Sequence, residues 1–208
     1  MKRLFALLVV FIVAFSMVGC ADTAKDIVNK TLTRGTFDGN VYTSEYVGIK
    51  FTKPDSWVFA TEEEMNSLMD AGADVMDQSD YQKSLSEMLT VFDMMASDPE
   101  TGNNINFVYE NLKLSDSVDI TEDEYIESFK TNLESIADIS YTFGEVETVT
   151  LGGVEFIKLN CDAVYYQVVS MKQAVYLKKV GDYMVSITLT LVDGSDASNI
   201  EAYFSAIE

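Results

Sequence analysis

Apolar and polar residues alternate along much of the chain with the two-residue period of a β-strand. From Tyr183 to Leu191, Val185 and Ile187 fall on one face, while serine and threonine residues occupy the positions between them. Such alternation is typical of a strand that buries one face and exposes the other. The same criterion predicts further strands at 90–96, 105–110, 147–151, 154–160 and 173–178. Short polar turns, including Gly152-Gly153, join these segments in pairs, so we predict consecutive β-hairpins.

Four segments begin with a hydroxyl residue that is followed three positions later by Glu or Gln. In this capping box, each of the two side chains accepts a hydrogen bond from a free backbone amide of the first helical turn. The predicted helix starts are Thr61, Ser79, Thr121 and Ser198. The last helix would present one apolar stripe, formed by Ile200, Tyr203, Phe204 and Ile207. Hairpins combined with separate helices predict the α+β class, in which an antiparallel sheet is flanked by helices.

The N-terminal segment has a different pattern. A cationic start, Met1-Lys2-Arg3, precedes an apolar run at 4–15 that is too short to span a bilayer but has the length of a signal-peptide core. Met17-Val18-Gly19-Cys20 follows and resembles the lipobox of bacterial lipoproteins, with Met17 where leucine is usual. In that family the cysteine sulfur receives a diacylglyceryl group after cleavage just before it. The alternative is an ordinary secretory signal with an incidental cysteine.

These features divide the chain into a lipoprotein signal peptide at 1–19, a lipid-anchored tether at 20–39 and a single domain at 40–208. Two acyl chains on Cys20 would give stable membrane anchoring. We therefore expect the domain to lie outside the cell, at the outer face of the cytoplasmic membrane of a Gram-positive bacterium. The lipid on Cys20 is the one attached group expected, with no other cofactor.

The composition is strongly acidic. The net charge is -20, from 34 acidic and 14 basic residues. An acidic surface repels the phosphates of nucleic acids and anionic headgroups, so we expect no nucleic-acid partner. Binding of cationic partners or of divalent ions is an alternative that the composition leaves open.

The chain contains no histidine, which excludes Ser-His-Asp and Cys-His nucleophile systems and the common zinc sites. Gly-x-Ser-x-Gly, phosphate-binding glycine loops and dinucleotide fingerprints are also absent from the sequence. Cys161 lies in an apolar run and is expected to be a small buried hydrophobe. Chemistry that uses carboxylates alone stays open, as in a glycan hydrolase. It would require two facing carboxylates in one cleft, with the pKa of at least one of them raised.

Weaker candidates for binding are two loops and two tyrosines. Oxygen ligands that calcium prefers occur at Asp98, Glu100 and Asn103, and again at Asp193, Ser195 and Asp196. Neither loop matches a recognised calcium motif. The alternative to calcium binding is that these residues form turns. Adjacent Tyr165 and Tyr166 could line a ligand groove or pack across strands. The methionines at 65, 69, 88, 94 and 95 have the spacing of core residues rather than of a soft-metal site.

The segment 40–59 is dense in aromatic residues. Its alternation stops at Gly48, and Lys53-Pro54-Asp55-Ser56 fits a type I turn just before Trp57. The spacing Gly48-x-x-Phe51-x-x-Pro54-x-x-Trp57 resembles the start of the PsbP-like (Mog/PsbP) α/β/α sandwich. The order of the later elements is similar, so the likeness covers most of 40–208. We expect Trp57 to anchor the core, with ligand binding as its alternative role.

The resemblance implies a fold rather than a chemistry. Relatives include an extrinsic subunit of photosystem II, a nuclear-transport GTPase-binding factor and many bacterial lipoproteins, which act as docking or assembly modules and share no catalytic residue set. We therefore expect a monomeric, non-enzymatic binding or assembly module of the cell envelope, anchored by lipid, with an envelope protein or ligand as its partner. The alternatives are a carboxylate-dependent envelope glycan hydrolase and a calcium-dependent adaptor.

Overall fold

The computed structural model describes residues 31–65, 67, 89–136, 139–192 and 194–207. The strands are β1 (Thr36–Asp38), β2 (Val41–Ser44), β3 (Ile49–Thr52), β4 (Val58–Phe59), β5 (Thr90–Ser97), β6 (Asn104–Asn111), β7 (Ile139–Leu151), β8 (Val154–Tyr165), β9 (Val169–Val180), β10 (Tyr183–Leu191) and β11 (Phe204–Ala206). The helices are α1 (Glu122–Glu134) and α2 (Ser198–Glu201), and residues 62–65 are also helical. The predictions for Cys20, for the helix start at Ser79 and for Asp193 lie outside the described residues.

The strands form two antiparallel sheets. The large sheet has seven strands in the order β4-β5-β6-β10-β9-β8-β7, and the small sheet has four in the order β1-β2-β3-β11. The predicted hairpins β5–β6, β7–β8 and β9–β10 all form, with strands longer than the sequence pattern indicated. Together with the helices, this architecture confirms the predicted α+β class. Among the described residues, no helix is long and apolar enough to cross a membrane.

The large sheet is covered on both faces. One face packs on the small sheet, and the main core between them contains Tyr42 and Phe51 together with Phe107. The other face packs on α1, where Tyr125 and Ile126 lie in a second apolar cluster. Because side chains alternate along a strand, successive residues of β6 point to different layers. We call these two sides of the large sheet the sheet-packed face and the helix-packed face.

Three of the predicted capping boxes lie within the described residues, and those at Thr61 and Thr121 are formed. The one predicted at Ser198 is wrong, because Ser198 is itself the first helical residue and the cap position, Ala197, has no side chain that can accept a hydrogen bond. At the start of α1, the Glu124 amide donates to Thr121 Oγ1 at 3.2 Å, and the Thr121 amide donates to Glu124 Oε2 at 3.0 Å. The same pair of bonds links Thr61 and Glu64, at 3.2 Å and 2.8 Å. These reciprocal bonds are why the helices begin where the sequence indicated.

The predicted C-terminal helix is wrong in extent. Only Ser198–Glu201 is helical, and Phe204 begins strand β11, which pairs with β3. Phe204 lies opposite Phe51, and their ring centroids are 5.0 Å apart. Pairing at the open edge of β3 buries Phe204 while its backbone bonds are satisfied, so the short apolar run forms a strand although its spacing also fits a helix.

The packed domain also includes residues that composition placed in the tether. Leu32 is buried in the main core, and β1 pairs with β2 along Thr36–Asp38. The polar character of this segment concealed it, since β1 is an exposed edge strand.

Candidate functional site

A buried carboxyl group interrupts the apolar strand β5. The register of β5 with β6 shifts between Phe92 and Met94, which leaves Asp93 as the extra residue of a β-bulge. A bulge changes the direction of a side chain relative to the regular alternation of the strand. The Asp93 side chain is fully buried, and its carboxyl group lies between the two sheets, against Tyr42 of β2.

Groups from the small sheet and from the segment before it surround this carboxylate. The Tyr42 hydroxyl donates to Asp93 Oδ2 at 2.5 Å, and the Gly35 amide donates to the same atom at 2.9 Å. Arg34 Nε lies 3.5 Å from Asp93 Oδ1, and Arg34 also donates to the carbonyl of Phe92 at 2.6 Å. Burial raises the pKa of the Asp93 carboxyl, while these donors and the Arg34 charge oppose the rise. The arrangement holds residues 34–35 on the large sheet.

Two further hydroxyl groups extend this cluster. Ser44 Oγ and the Tyr109 hydroxyl are 2.9 Å apart, joining β2 to β6. Burial raises the pKa of Tyr42 and of Tyr109 well above the ordinary tyrosine value, so both stay protonated. The cluster therefore acts as a hydrogen-bonded connection between the sheets.

A second buried carboxyl group lies on the helix-packed face. The Tyr125 hydroxyl of α1 donates to Glu110 Oε2 at 2.5 Å. Burial raises the pKa of Glu110 from its ordinary value of 4.5 to about 7, while hydrogen bonds from Tyr125 and Ser115 lower it less. This pair connects α1 to β6.

The two carboxyl groups do not share a cleft. Asp93 contacts Tyr42 of the small sheet, whereas Glu110 contacts Tyr125 of α1, so they lie on opposite faces of the large sheet. Glycosidase chemistry needs the two groups on either side of one substrate bond. Although both pKa values are raised, this geometry does not provide the facing pair that a hydrolase requires.

The first calcium candidate loop is a hydrogen-bonded turn. Asp98 Oδ1 accepts from the amide of Glu100 at 3.0 Å, and Oδ2 accepts from the Thr101 hydroxyl at 2.9 Å. Asn103 Oδ1 accepts from the amide of Val192 at 2.8 Å. These oxygens are used in forming the loop.

The second candidate loop lies against the first. Asn103 Nδ2 donates to Ser195 Oγ at 3.2 Å, so the two predicted sets are neighbours. Asp196 Oδ1 accepts from the amide of Ser198, the first residue of α2, at 2.9 Å. In the described part of the chain, no three acidic, cysteine or histidine residues group closely enough to hold a metal ion.

Trp57 is buried in the main core, with 5% of its surface exposed. Its position agrees with the expected role as a core anchor. Met65, Met94 and Met95 are likewise buried, whereas Met69 and Met88 lie outside the described residues. Cys161 is buried, and burial raises the pKa of its thiol to about 12, as expected for an unreactive cysteine.

Tyr165 and Tyr166 lie at the tip of the β8–β9 hairpin. Their ring centroids are 4.4 Å apart, in an edge-to-face arrangement. Tyr166 and Gln167 have φ of 46° and 59°, and the Val168 amide donates to the carbonyl of Tyr165 at 3.0 Å. Positive φ at both central residues identifies a type I′ turn, which normally uses Asn and Gly. We call residues 165–168 the hairpin tip.

The hairpin tip is apolar and exposed. Tyr166 is 56% exposed and Val168 is 81% exposed. The residues from 163 to 171 contain no charged side chain, nor do those from 139 to 144 on the adjacent strand β7. In a chain in which 23% of residues are charged, these segments form an uncharged corner of the large sheet, where β7, β8 and β9 meet.

Sequence reasoning overlooked the buried carboxyl groups and the form of the tip. An acidic residue inside the apolar run at 90–96 was the visible signal for Asp93. The uncharged run 163–171 was the visible signal for the tip. The turn type had no signal, because Tyr-Gln is not a dipeptide that favours positive φ.

No protein-family model and no curated protein matches the sequence. PsbP of Synechocystis sp. PCC 6803 is a similar solved structure, with 11% identity, a TM-score of 0.46, and coverage of 88% of this chain and 98% of that one. A protein of Bacteroides thetaiotaomicron VPI-5482 has 12% identity and a TM-score of 0.41, over 83% of this chain and 50% of that one.

LpqN, which is involved in cell envelope biogenesis of Mycobacterium tuberculosis, has 13% identity and a TM-score of 0.40, over 77% of this chain and 83% of that one. A PsbP protein is thus among the similar structures, as the resemblance at 48–57 predicted. At these identities the likeness concerns the fold and transfers no site residue.

Proposed function

We propose that the protein is a non-enzymatic binding or assembly module, held by lipid on Cys20 at the outer face of the cytoplasmic membrane. The N-terminal segment supports the anchor, through its cationic start, its short apolar core and the residues before Cys20. The observation that carries the binding role is the exposed hairpin tip.

The tip is unfavourable for folding by itself. An L-residue in the left-handed region is less stable by about 1–2 kcal/mol than in the right-handed one. Here two consecutive residues, Tyr166 and Gln167, adopt it. The turn also leaves Val168 in solvent, where it contributes no burial to the core. Backbone strain combined with exposed apolar side chains is typical of a contact site.

Charge makes the tip the favourable place for a partner to dock. Burying a carboxylate at an interface without a counter-charge is costly. The run 163–171 carries none, so a partner can cover Tyr166 and Val168 without removing water from a charge. Tyr166 is also of a residue type that is enriched at the centre of protein interfaces.

The binding role is tested by photocrosslinking in the producing cells. A photoreactive amino acid at Gln167 of the full chain is expected to capture a protein other than this chain itself. Tyr166→Asn should lower the captured yield at least about fivefold, because removing an aromatic anchor weakens an interface strongly. Val58→Ser is the matched control, since Val58 is 57% exposed on β4, at the opposite edge of the large sheet, and should leave the yield unchanged.

A stability measurement distinguishes lost contact from misfolding. Asn tolerates the left-handed region, so Tyr166→Asn relieves strain while it removes the ring contact with Tyr165. The free energy of unfolding should therefore change by less than about 1 kcal/mol. Equal capture in the two variants, or no captured protein at all, would show that the tip is not the binding surface.

The anchor is tested separately. Cys20→Ala removes the sulfur that would carry the diacylglyceryl group, so the protein should move from the membrane fraction to the soluble fraction or the medium. Cys161→Ala is the control, since Cys161 is buried in the domain, and should leave fractionation unchanged. Retention of the Cys20→Ala variant in membranes would refute lipid anchoring at this residue.

A further inference from the structure

Among the described strands, four form the edges of the two sheets, and their lengths are very unequal. Strands β1 and β11 of the small sheet have three residues each, and β4 of the large sheet has two. The fourth edge is β7, which has 13 residues and pairs with β8 alone among the described strands. A long edge presents backbone N–H and C=O groups that can pair with another strand.

The two halves of β7 differ in composition. The register with β8 shifts between Phe143 and Val146, and Glu145 and Glu147 follow Phe143 closely. Bulges and charges are devices that discourage pairing at a sheet edge. Residues 139–143, ISYTF, contain no charge, no proline and no glycine, and Ser140 and Thr142 are exposed. This half of the edge carries none of those features.

We propose that residues 139–143 of β7 pair with the same residues of a second copy, antiparallel about a two-fold axis. Two identical strands related by such an axis run antiparallel by symmetry and offer each other the same backbone groups. Pairing joins the two large sheets edge to edge.

Charge favours a second copy at this position. A chain with net charge -20 brings like charges together when its copies meet through most of its surface. Residues 139–143 meet without opposing carboxylates. The nearest acidic side chain on the neighbouring strand, Asp162, lies opposite Thr142 and has Lys172 opposite it on its other side. The segment is therefore the part of the surface where self-association meets least repulsion.

The paired segments form a small contact, and its size limits the affinity of the dimer. Five residues on each side fall short of the roughly 1,200 Å² that stable interfaces bury. We expect a weak, reversible dimer rather than a permanent one. Formation of this dimer requires neither the lipid anchor nor the partner of the hairpin tip.

Cysteine crosslinking of the full chain in the producing cells tests the pairing. Thr142→Cys, treated with a short bismaleimide, should give a species of twice the protein mass. Thr150→Cys is the matched control, since Thr150 is an exposed threonine of the same strand, beyond the bulge, and should give none. Comparing yields for Ser140→Cys and Thr142→Cys locates the two-fold axis.

A charge placed in the segment should then prevent the dimer. In the Ser140→Cys background, Thr142→Asp should lower the dimer yield at least about fivefold, because like charges opposite each other destabilise paired strands. Thr150→Asp adds the same charge elsewhere and should leave the yield unchanged, as should Tyr166→Asn. Absence of a dimer, equal yields from Thr142→Asp and Thr150→Asp, or a crosslink to a different protein at Thr142 would each overturn the proposal.

Discussion

The free energy of unfolding should fall as pH rises from about 5 to about 8, and Glu110 should account for about 3 kcal/mol of the loss. The Glu110 carboxyl is buried beneath α1 and accepts a hydrogen bond from Tyr125. Burial raises its pKa from 4.5 to about 7. Each unit of such a difference corresponds to about 1.4 kcal/mol.

The direction follows from where the proton is held. Between these two pKa values, the folded protein keeps the Glu110 proton while the unfolded chain releases it. The contribution of Glu110 to the free energy of unfolding is therefore fully present below its pKa in the unfolded chain. It declines as pH rises to its raised pKa in the folded state. The raised pKa of Asp93 acts in the same direction, so the whole protein should show a larger effect than Glu110 alone.

Urea unfolding at a series of pH values measures this effect. Glu110→Gln keeps the size and a hydrogen-bond acceptor but cannot titrate, so its stability should vary less with pH than that of the original protein. Glu134→Gln, at an exposed position of α1, should keep the full dependence. The assignment to Glu110 fails if both variants retain identical pH profiles.

Asp93→Ala should lower the free energy of unfolding by several kcal/mol, since each buried donor left without its acceptor is destabilising by about 1–3 kcal/mol. The substitution leaves the Tyr42 hydroxyl and the Gly35 amide without their shared acceptor. It also leaves the Arg34 guanidinium without its carboxylate. Buried donors that lose their partner are destabilising beyond the hydrogen bond itself.

Denaturant unfolding of matched variants measures the loss at Asp93. Asp162→Ala removes an exposed aspartate from strand β8 and should change stability by less than about 0.5 kcal/mol. Tyr42→Phe should destabilise by about 1–2 kcal/mol, and the double variant by less than the sum, since the two residues share one bond. Additive losses would mean that the carboxylate and the hydroxyl act independently.

Local rules explain what the sequence predicted well. The capping boxes at Thr61 and Thr121 depend on residues three positions apart, so no tertiary contact is needed to recognise them. The Gly152-Gly153 turn is similar, with φ of 56° and 82° that glycine adopts without strain. The antiparallel pairing of β9 with β10 follows from the short turn between them.

Features that depend on distant partners were not predictable. The bulge at Asp93 lacks a glycine, and it is stabilised by Tyr42 and Gly35, which are remote in sequence. Strand β11 forms because β3 offers an edge, which the spacing of Phe204 cannot reveal. The sequence identified the two loops of the calcium candidates. It could not show that oxygens in these loops accept hydrogen bonds within turns, because those bonds depend on the folded backbone.

The pairing of β11 with β3 bears on how the chain folds as it is made. Phe51 meets Phe204, about 150 residues later, and contacts of such long separation slow folding. The small sheet cannot be completed until synthesis has passed residue 206. Until then, β3 has an unpaired edge in the small sheet, and Phe51 lacks its partner Phe204.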